Sequence, residues 1–455
     1  MPAHVIDSIF YKDLYGSAAM RAVWDDLNLL QKWLDFEAAL ARAEAQVGLV
    51  PAEAAAEITR QARAELMDTD AIKRGVDKTV HPLVAVIWQL TERCSGDAGR
   101  YVHWGATTQD VMDTAIILQI KDAYPLFEHA IDDLIAVLAR LAQAHRDTPM
   151  AGRTHGQQAL PITFGYKVAV WLAEMLRHRA RLAECKPRVL IGEFGGAVGT
   201  LASVAEHGLE IQRLLMHELE LNVPPIAWHA ARDHIAEFAM TLTLISATLG
   251  KIAHEIIDLQ KIEFGEVEEP FEMGKVGSST MPQKRNPMLC EAILTLARLT
   301  RQHAATAVDA MFHEHERDWS SFQMEWAFLP ELCIMTHGAL LLTERVFSGL
   351  RVYPQAMLNN LHRSGGLLLA ERVMLALGQH IGRQQAHDVV YEAAMTAVED
   401  KVPFSTALKQ HPRVKAHLDD AAIDALLDPV QYTGLAALFV DRVLAQLSAE
   451  HTAQR

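Results

Sequence analysis

The chain has 455 residues, half of them hydrophobic and 22% charged, with mean hydropathy +0.05 and a formal net charge of −15. That apolar content exceeds one ordinary core and predicts two or three domains, or one elongated assembly unit. The negative charge argues against nucleic acid or an anionic membrane as the main partner, but leaves room for a small anion held by local basic groups.

Four scattered cysteines, Cys94, Cys185, Cys290 and Cys333, show neither disulfide nor zinc spacing. The first residues contain no basic region followed by an apolar run. No unbroken apolar span approaches the roughly 18 residues of a membrane helix, so a cytoplasmic protein is expected.

Helical patterning runs nearly throughout. Residues 23–47 carry Val23, Leu27, Leu30, Trp33, Leu34, Ala38 and Ala41 on one face, closed by Gly48 and Pro51. A second helix is predicted near 52–66. A polar, irregular segment then ends in Thr79-Val-His-Pro82, and another helix runs to about Leu90. Residues 100–108, rich in small and aromatic side chains, read as a loop. From Asp110 long helices dominate. In the clearest, Ile235, Phe238, Leu242, Ile245, Leu249, Ile252, Ile256 and Leu259 form an unbroken heptad seam, the mark of near-parallel helix packing. At about 1.5 Å per residue it spans roughly 36 Å. Such helices describe a long bundle, and its unburied stripe predicts an oligomer. Strand signals are weak and ambiguous, Arg188–Ile191 among them. Beyond residues 352–354 shorter, more polar helices predict a small C-terminal domain. The expected division is 1–109, 110–352 and 353–455.

Four loop-like segments concentrate polar groups: Thr79-Val-His-Pro82, Val102-His-Trp-Gly-Ala-Thr-Thr-Gln-Asp110, Gly152-Arg-Thr-His-Gly-Gln-Gln158 and Gly277-Ser-Ser-Thr-Met-Pro-Gln-Lys-Arg-Asn-Pro287. In the last, Asn286 reads as an N-cap and Pro287 as the first helical residue, followed by a helix from Met288 to about Met311. Ser278, Ser279 and Lys284 then precede a helix N-terminus whose amides favour an anion. Gly195-Gly-Ala-Val-Gly199 follows no convincing strand, and close helix packing explains it better than a phosphate loop. His313-Glu-His315-Glu316 is a weak metal candidate, because i,i+2 histidines do not share a helix face.

Together these segments resemble the fumarase/aspartase superfamily. Gly277–Pro287 looks like its signature loop, and Gly105–Asp110 and Met150–Gln157 match two boxes of the adenylosuccinate lyase branch. The stretches Leu34–Glu44 and Leu426–Gly434 look most like 3-carboxy-cis,cis-muconate cycloisomerases. The resemblance covers essentially the full length. It implies an all-α, three-domain subunit whose long central helices form a twenty-helix core in a homotetramer, with active sites shared between chains. It implies no cofactor and no metal, and a small dicarboxylate or succinyl substrate cleaved by reversible β-elimination. By position Ser278 falls on the catalytic base, His155 on the general acid and Glu291 on its carboxylate partner. Thr107, Thr108, His81, Gln157, Lys284, Asn286 and Arg232 fall on substrate-binding positions. Elementary chemistry agrees. A serine alkoxide and an aci-carboxylate dianion both need a cation and oriented N–H groups, and a leaving amine needs a donor titrating near neutrality.

The N-terminal Ile9-Phe-Tyr-Lys12 lacks the Arg-Tyr pair of adenylosuccinate lyases, and Trp326 stands where they carry arginine, as in the cycloisomerases. Bacterial cycloisomerases, in turn, usually lack the equivalents of His81 and His155. The favoured expectation is therefore a C–N lyase acting on an N-substituted aspartate other than adenylosuccinate. Carboxymuconate cycloisomerisation is the alternative. A non-catalytic relative is third, set back by the presence of Ser278, His155, Lys284 and Glu291.

Overall fold

The structure, a computed structural model, describes residues 4–271, 280–281 and 283–453. It is all-α, as expected. Its long helices are Asp26–Gln46, Thr108–Ala144, Phe164–Val189, Asp233–Gln260, Met288–Asp309 and Trp319–Ser348. All eight seam residues of Asp233–Gln260 are buried, none more than 2% exposed. Two helices, Asp233–Gln260 and Trp319–Ser348, are long and apolar enough by composition to cross a membrane. In each, however, most of the apolar window, 67% and 72%, is buried inside the fold, as in core helices.

Two compact units emerge, each assembled from separate stretches. One contains Met1–Asp132, His178–Gly250 and Ala292–Leu341, and the other Asp133–Arg177, Lys251–Glu291 and Leu342–Arg455. Within the first, Asp25 caps Asp26–Gln46 by accepting from the Leu27 amide. The segment ahead of His81 is not irregular but the helix Thr69–Thr79, capped by Asp68. Its polar composition hid an amphipathic face. Within the second unit, helices from Pro354–His362 to Ala436–Ala453 are short. Several pack around a core that includes Val373, Leu377, Val389, Phe404, Leu408 and Ile423.

Of residues 188–191, Ile191 forms an isolated parallel bridge with Asn222, and the strands proper fall elsewhere. Pro149–Thr154 pairs antiparallel with Gln157–Thr163, and Val267–Glu268 with Arg351–Val352. The first pair turns through His155 (φ 52°) and Gly156 (φ 75°). Two left-handed residues in a two-residue loop match the right-handed twist of the flanking strands. The segment read as a loop before a helix is thus a hairpin with His155 at its tip.

Candidate active site

In the first unit the sequence-selected residues gather at the N-terminus of helix Thr108–Ala144. Helix Thr69–Thr79 ends at Val80 in the left-handed region (φ 54°), a costly conformation for a β-branched residue, and this swings His81 back toward the later helix. The His81 Nε2 lies 3.3 Å from Thr108 Oγ1, and its ring stacks on Trp319 at 6.0 Å between centroids. Burial lowers the His81 pKa, helped by the nearby His103 imidazole. The ring is therefore neutral at pH 7, able to donate or accept one hydrogen bond at each nitrogen.

The Thr107–Thr108 turn is tied down from several sides. Asp110 accepts the Thr107 amide at 2.9 Å in a capping arrangement. Arg317 donates to Thr107 Oγ1 at 2.9 Å and to the Ala197 carbonyl at 2.6 Å. The glycine run beginning at Gly195 is more than helix packing, because the Gly195 and Gly196 amides both donate to Asp110, at 2.9 and 3.0 Å. It is an anion loop whose anion belongs to the protein. One further imidazole was passed over in the sequence. His103, at φ 61° in the same box, holds the buried Glu37 carboxylate at 2.7 Å. That contact outweighs burial and raises the His103 pKa. Its signal was its place in Val102-His-Trp-Gly105.

Arg232 does not stand beside these hydroxyls as an open cation. It is buried, bonded through Nε to Glu325 and through Nη2 to Asp113, each at 2.8 Å. Its Nη1 is buried without an acceptor among the described residues.

In the second unit Lys284, Asn286 and Glu291 line one cavity of about 740 Å³, together with Gln260, Glu268 and Tyr353. The helix begins at Met288, one residue later than expected, and its first free amides are capped from a distance. The Glu269 carboxylate receives the Leu289 and Cys290 N–H groups, all at 3.1 Å. The anion expected at this helix start is thus an internal one. The neighbouring strand is locked to the segment after the signature serines. Glu268 accepts from Arg285 at 2.6 Å and from the Tyr353 hydroxyl at 2.5 Å. Gln260 holds both sides, accepting from the Glu269 amide at 3.0 Å and donating to the Arg285 carbonyl at 3.2 Å. Lys284 and Asn286 therefore sit on a braced segment. His155 and Gln157 lie exposed at the hairpin tip and are not among the residues lining this cavity. Ser278, with Ser279 and Gly277, lies outside the described residues.

Among the described residues, the grouping with metal-ligand geometry is Asp110, Glu193 and His229, not residues 313–316. The His313 ring nitrogens are both buried without a partner among those residues.

An all-α fold with these polar boxes defines a lyase class, and comparison with known proteins agrees. The family described as Lyase matches residues 16–299, and the one described as Adenylosuccinate lyase C-terminus matches residues 366–443. The chain belongs to the fumarase/aspartase superfamily of enzymes. It is 44% identical to N-acetyl-S-(2-succino)cysteine lyase of Enterococcus italicus over 98% of each chain. It is also 44% identical to 3-carboxy-cis,cis-muconate cycloisomerase of Pseudomonas aeruginosa over 95% of each. Among solved structures, the fumarate lyase from Mesorhizobium sp. BNC1 superposes with TM-score 0.89 at 44% identity, covering 95% of this chain and 98% of that one.

Proposed function

We propose that this enzyme catalyses a reversible β-elimination that releases fumarate from a small N- or S-substituted succinate, working in the cytoplasm as a homotetramer. The observation that supports this most is the cavity shared by Lys284, Asn286 and Glu291. A cation and an amide donor beside a carboxylate suit the dicarboxylate end of such a substrate. In this reading Ser278 takes the proton from the carbon next to one carboxylate, and Lys284 and Asn286 hold the dianion that forms. The C–N or C–S bond then breaks, and His155, oriented by Glu291, protonates the departing nitrogen or sulfur. Thr107, Thr108, His81 and Gln157 bind the carboxylates. The exposure of His155 and Gln157 suits a site completed by other subunits.

The sequence alone favoured a nitrogen leaving group. The similarity to N-acetyl-S-(2-succino)cysteine lyases puts sulfur on an equal footing, since the same acid can protonate an amine as the C–N bond breaks or a thiolate once the C–S bond has broken. A second reading, cycloisomerisation of carboxymuconate, draws on the aromatic wall beside His81, where Trp319 packs edge-on against Phe322 and Trp326. The deciding experiment is a panel of adenylosuccinate, argininosuccinate, S-succinyl-N-acetylcysteine, simple N-substituted aspartates and carboxymuconate, followed by fumarate or diene absorbance. Fumarate release from at least one amino- or thio-succinate is expected. If none yields fumarate, the elimination reading falls.

A further inference from the structure

One buried titratable cluster has no part in the chemistry above. The ligand-type atoms of Asp110, Glu193 and His229 all lie within 4.8 Å of one another. It is not built for a metal. The Asp110 carboxylate already receives four N–H donors: His229 Nε2 at 2.7 Å and the amides of Thr107, Gly195 and Gly196. Four donors match the roughly four lone-pair sites of a carboxylate. Three of the four come from backbone, and their positions follow the fold. His229 is the single side chain in the set.

His229 is itself gripped by the first turn of helix Thr108–Ala144. Gln109 donates to its carbonyl at 3.0 Å while Asp110 takes its ring N–H. Burial works against a charged imidazole here, yet the bond to Asp110 and the nearby Glu193 raise the His229 pKa. Burial pushes the Glu193 pKa up as well, to about 8. The loop leaves little room to move: a Cβ on Gly195 would sit 3.1 Å from His229 Cε1 and 3.0 Å from Ala227 Cβ.

We propose that His229 is a positioning residue for the succinyl site: by holding Asp110 it fixes the turn that presents the Thr107 and Thr108 hydroxyls to a substrate carboxylate. The proposal rests on the elimination reading for its ligand, but not for its geometry. Removing the imidazole leaves Asp110 short of a donor in a buried place, so the carboxylate shifts and takes the Thr107 amide with it.

The test uses the full chain with His229→Leu, His229→Gln and Gly195→Ala, and fumarate as the probe. Calorimetry gives its affinity, and hydrogen exchange follows residues 105–110 and 195–197. His229→Leu should weaken fumarate binding at least tenfold and speed exchange at Thr107, Gly195 and Gly196. His229→Gln keeps a side-chain N–H for Asp110 and should stay within threefold of wild type in both readouts. Gly195→Ala, which crowds the imidazole and stands in if the leucine variant does not fold, should weaken fumarate about threefold. A purely structural role would lower the melting temperature while leaving the affinity of folded protein unchanged, and that result overturns the proposal. So does a glutamine variant as weak as leucine. If wild type binds no fumarate the reaction reading fails instead. The exchange data then judge the positioning role alone, and unaltered exchange at Thr107 in His229→Leu rejects it.

Discussion

Glu44 offers a quantitative test of the packing described above. It lies in helix Asp26–Gln46 with no exposed surface, and neither carboxyl oxygen has a hydrogen-bond partner among the described residues. Burial first, and then the Glu37 carboxylate one face-repeat earlier, push its pKa up to about 9. The folded protein therefore carries Glu44 as a neutral acid, whereas the unfolded chain ionises it above its ordinary pKa of 4.5. The sign follows from proton binding. Between pH 4.5 and 9 the folded state binds the extra proton, so Glu44 costs nothing below the lower value and progressively more as pH rises toward the upper one. At pH 7.5 the difference is three pH units, or about 4 kcal/mol at ~1.4 kcal/mol per unit. Glu44→Met nearly conserves volume and removes the titration, so it should stabilise the enzyme by about that amount near pH 7.5, less about 1 kcal/mol for imperfect repacking. Thermal melts of both proteins at pH 5, 6, 7 and 8 measure it. The two curves should nearly meet at pH 5 and separate steadily above it. Parallel curves, or a methionine variant less stable at pH 8, would refute the account of Glu44 as a buried neutral acid.

Three further outcomes are expected. His155→Ala should lower kcat for fumarate release by about 10²–10⁴-fold while changing fumarate affinity little, because a general acid acts on the leaving group in the transition state; single-turnover kinetics decides this. Glu269→Ala should lose a charge-assisted cap of helix Met288–Asp309 and lower stability by about 1–2 kcal/mol. Melting and amide exchange at Leu289 and Cys290 report it, and Glu269→Gln should lose less. Arg232→Met should cost about 3–5 kcal/mol at pH 7, since Asp113 and Glu325 would be left buried and uncompensated. Part of that loss should return as pH falls, because burial raises the Glu325 pKa and a protonated Glu325 no longer needs the guanidinium; it is visible as a smaller gap in melting temperature.

Legibility in the sequence tracked how local each determinant is. The heptad seam from Ile235 to Leu259 was readable because one helix carries its whole pattern, and every member is buried. The His155 hairpin was missed although His155-Gly156 is a good two-residue turn. Its strands carry Gly152 and Pro161 and lack the β-branched alternation that signals a strand. Glu269 as helix cap was invisible for another reason: 20 residues separate it from Leu289, and capping rules look only at adjacent positions. The glycine run at 195–199 was misjudged because its anion, Asp110, lies 85 residues earlier.

The same distinction explains why reaction class was easier to read than substrate. The residues proposed to hold the succinyl end come in short strings, each pinned by its own local braces: Thr107–Thr108 by Asp110 and Arg317, Lys284–Asn286 by Glu268 and Gln260 through Arg285. A carboxylate-binding turn is a local object, so its sequence carries it. A leaving group is recognised by the side chains left over around that turn. In the proposed reading those are His81, in the loop after helix Thr69–Thr79, and Trp319 and Trp326, on a helix more than 200 residues later. Their partial burial and stacking favour a compact, largely apolar departing group over one bearing a phosphate, because Arg232, the cation over the Phe322 ring that packs against both tryptophans, is already paired with Asp113 and Glu325. Adenylosuccinate should therefore rank below small thio- or amino-succinates in kcat/KM. A preference for adenylosuccinate by tenfold or more would show that the aromatic wall does not select the leaving group.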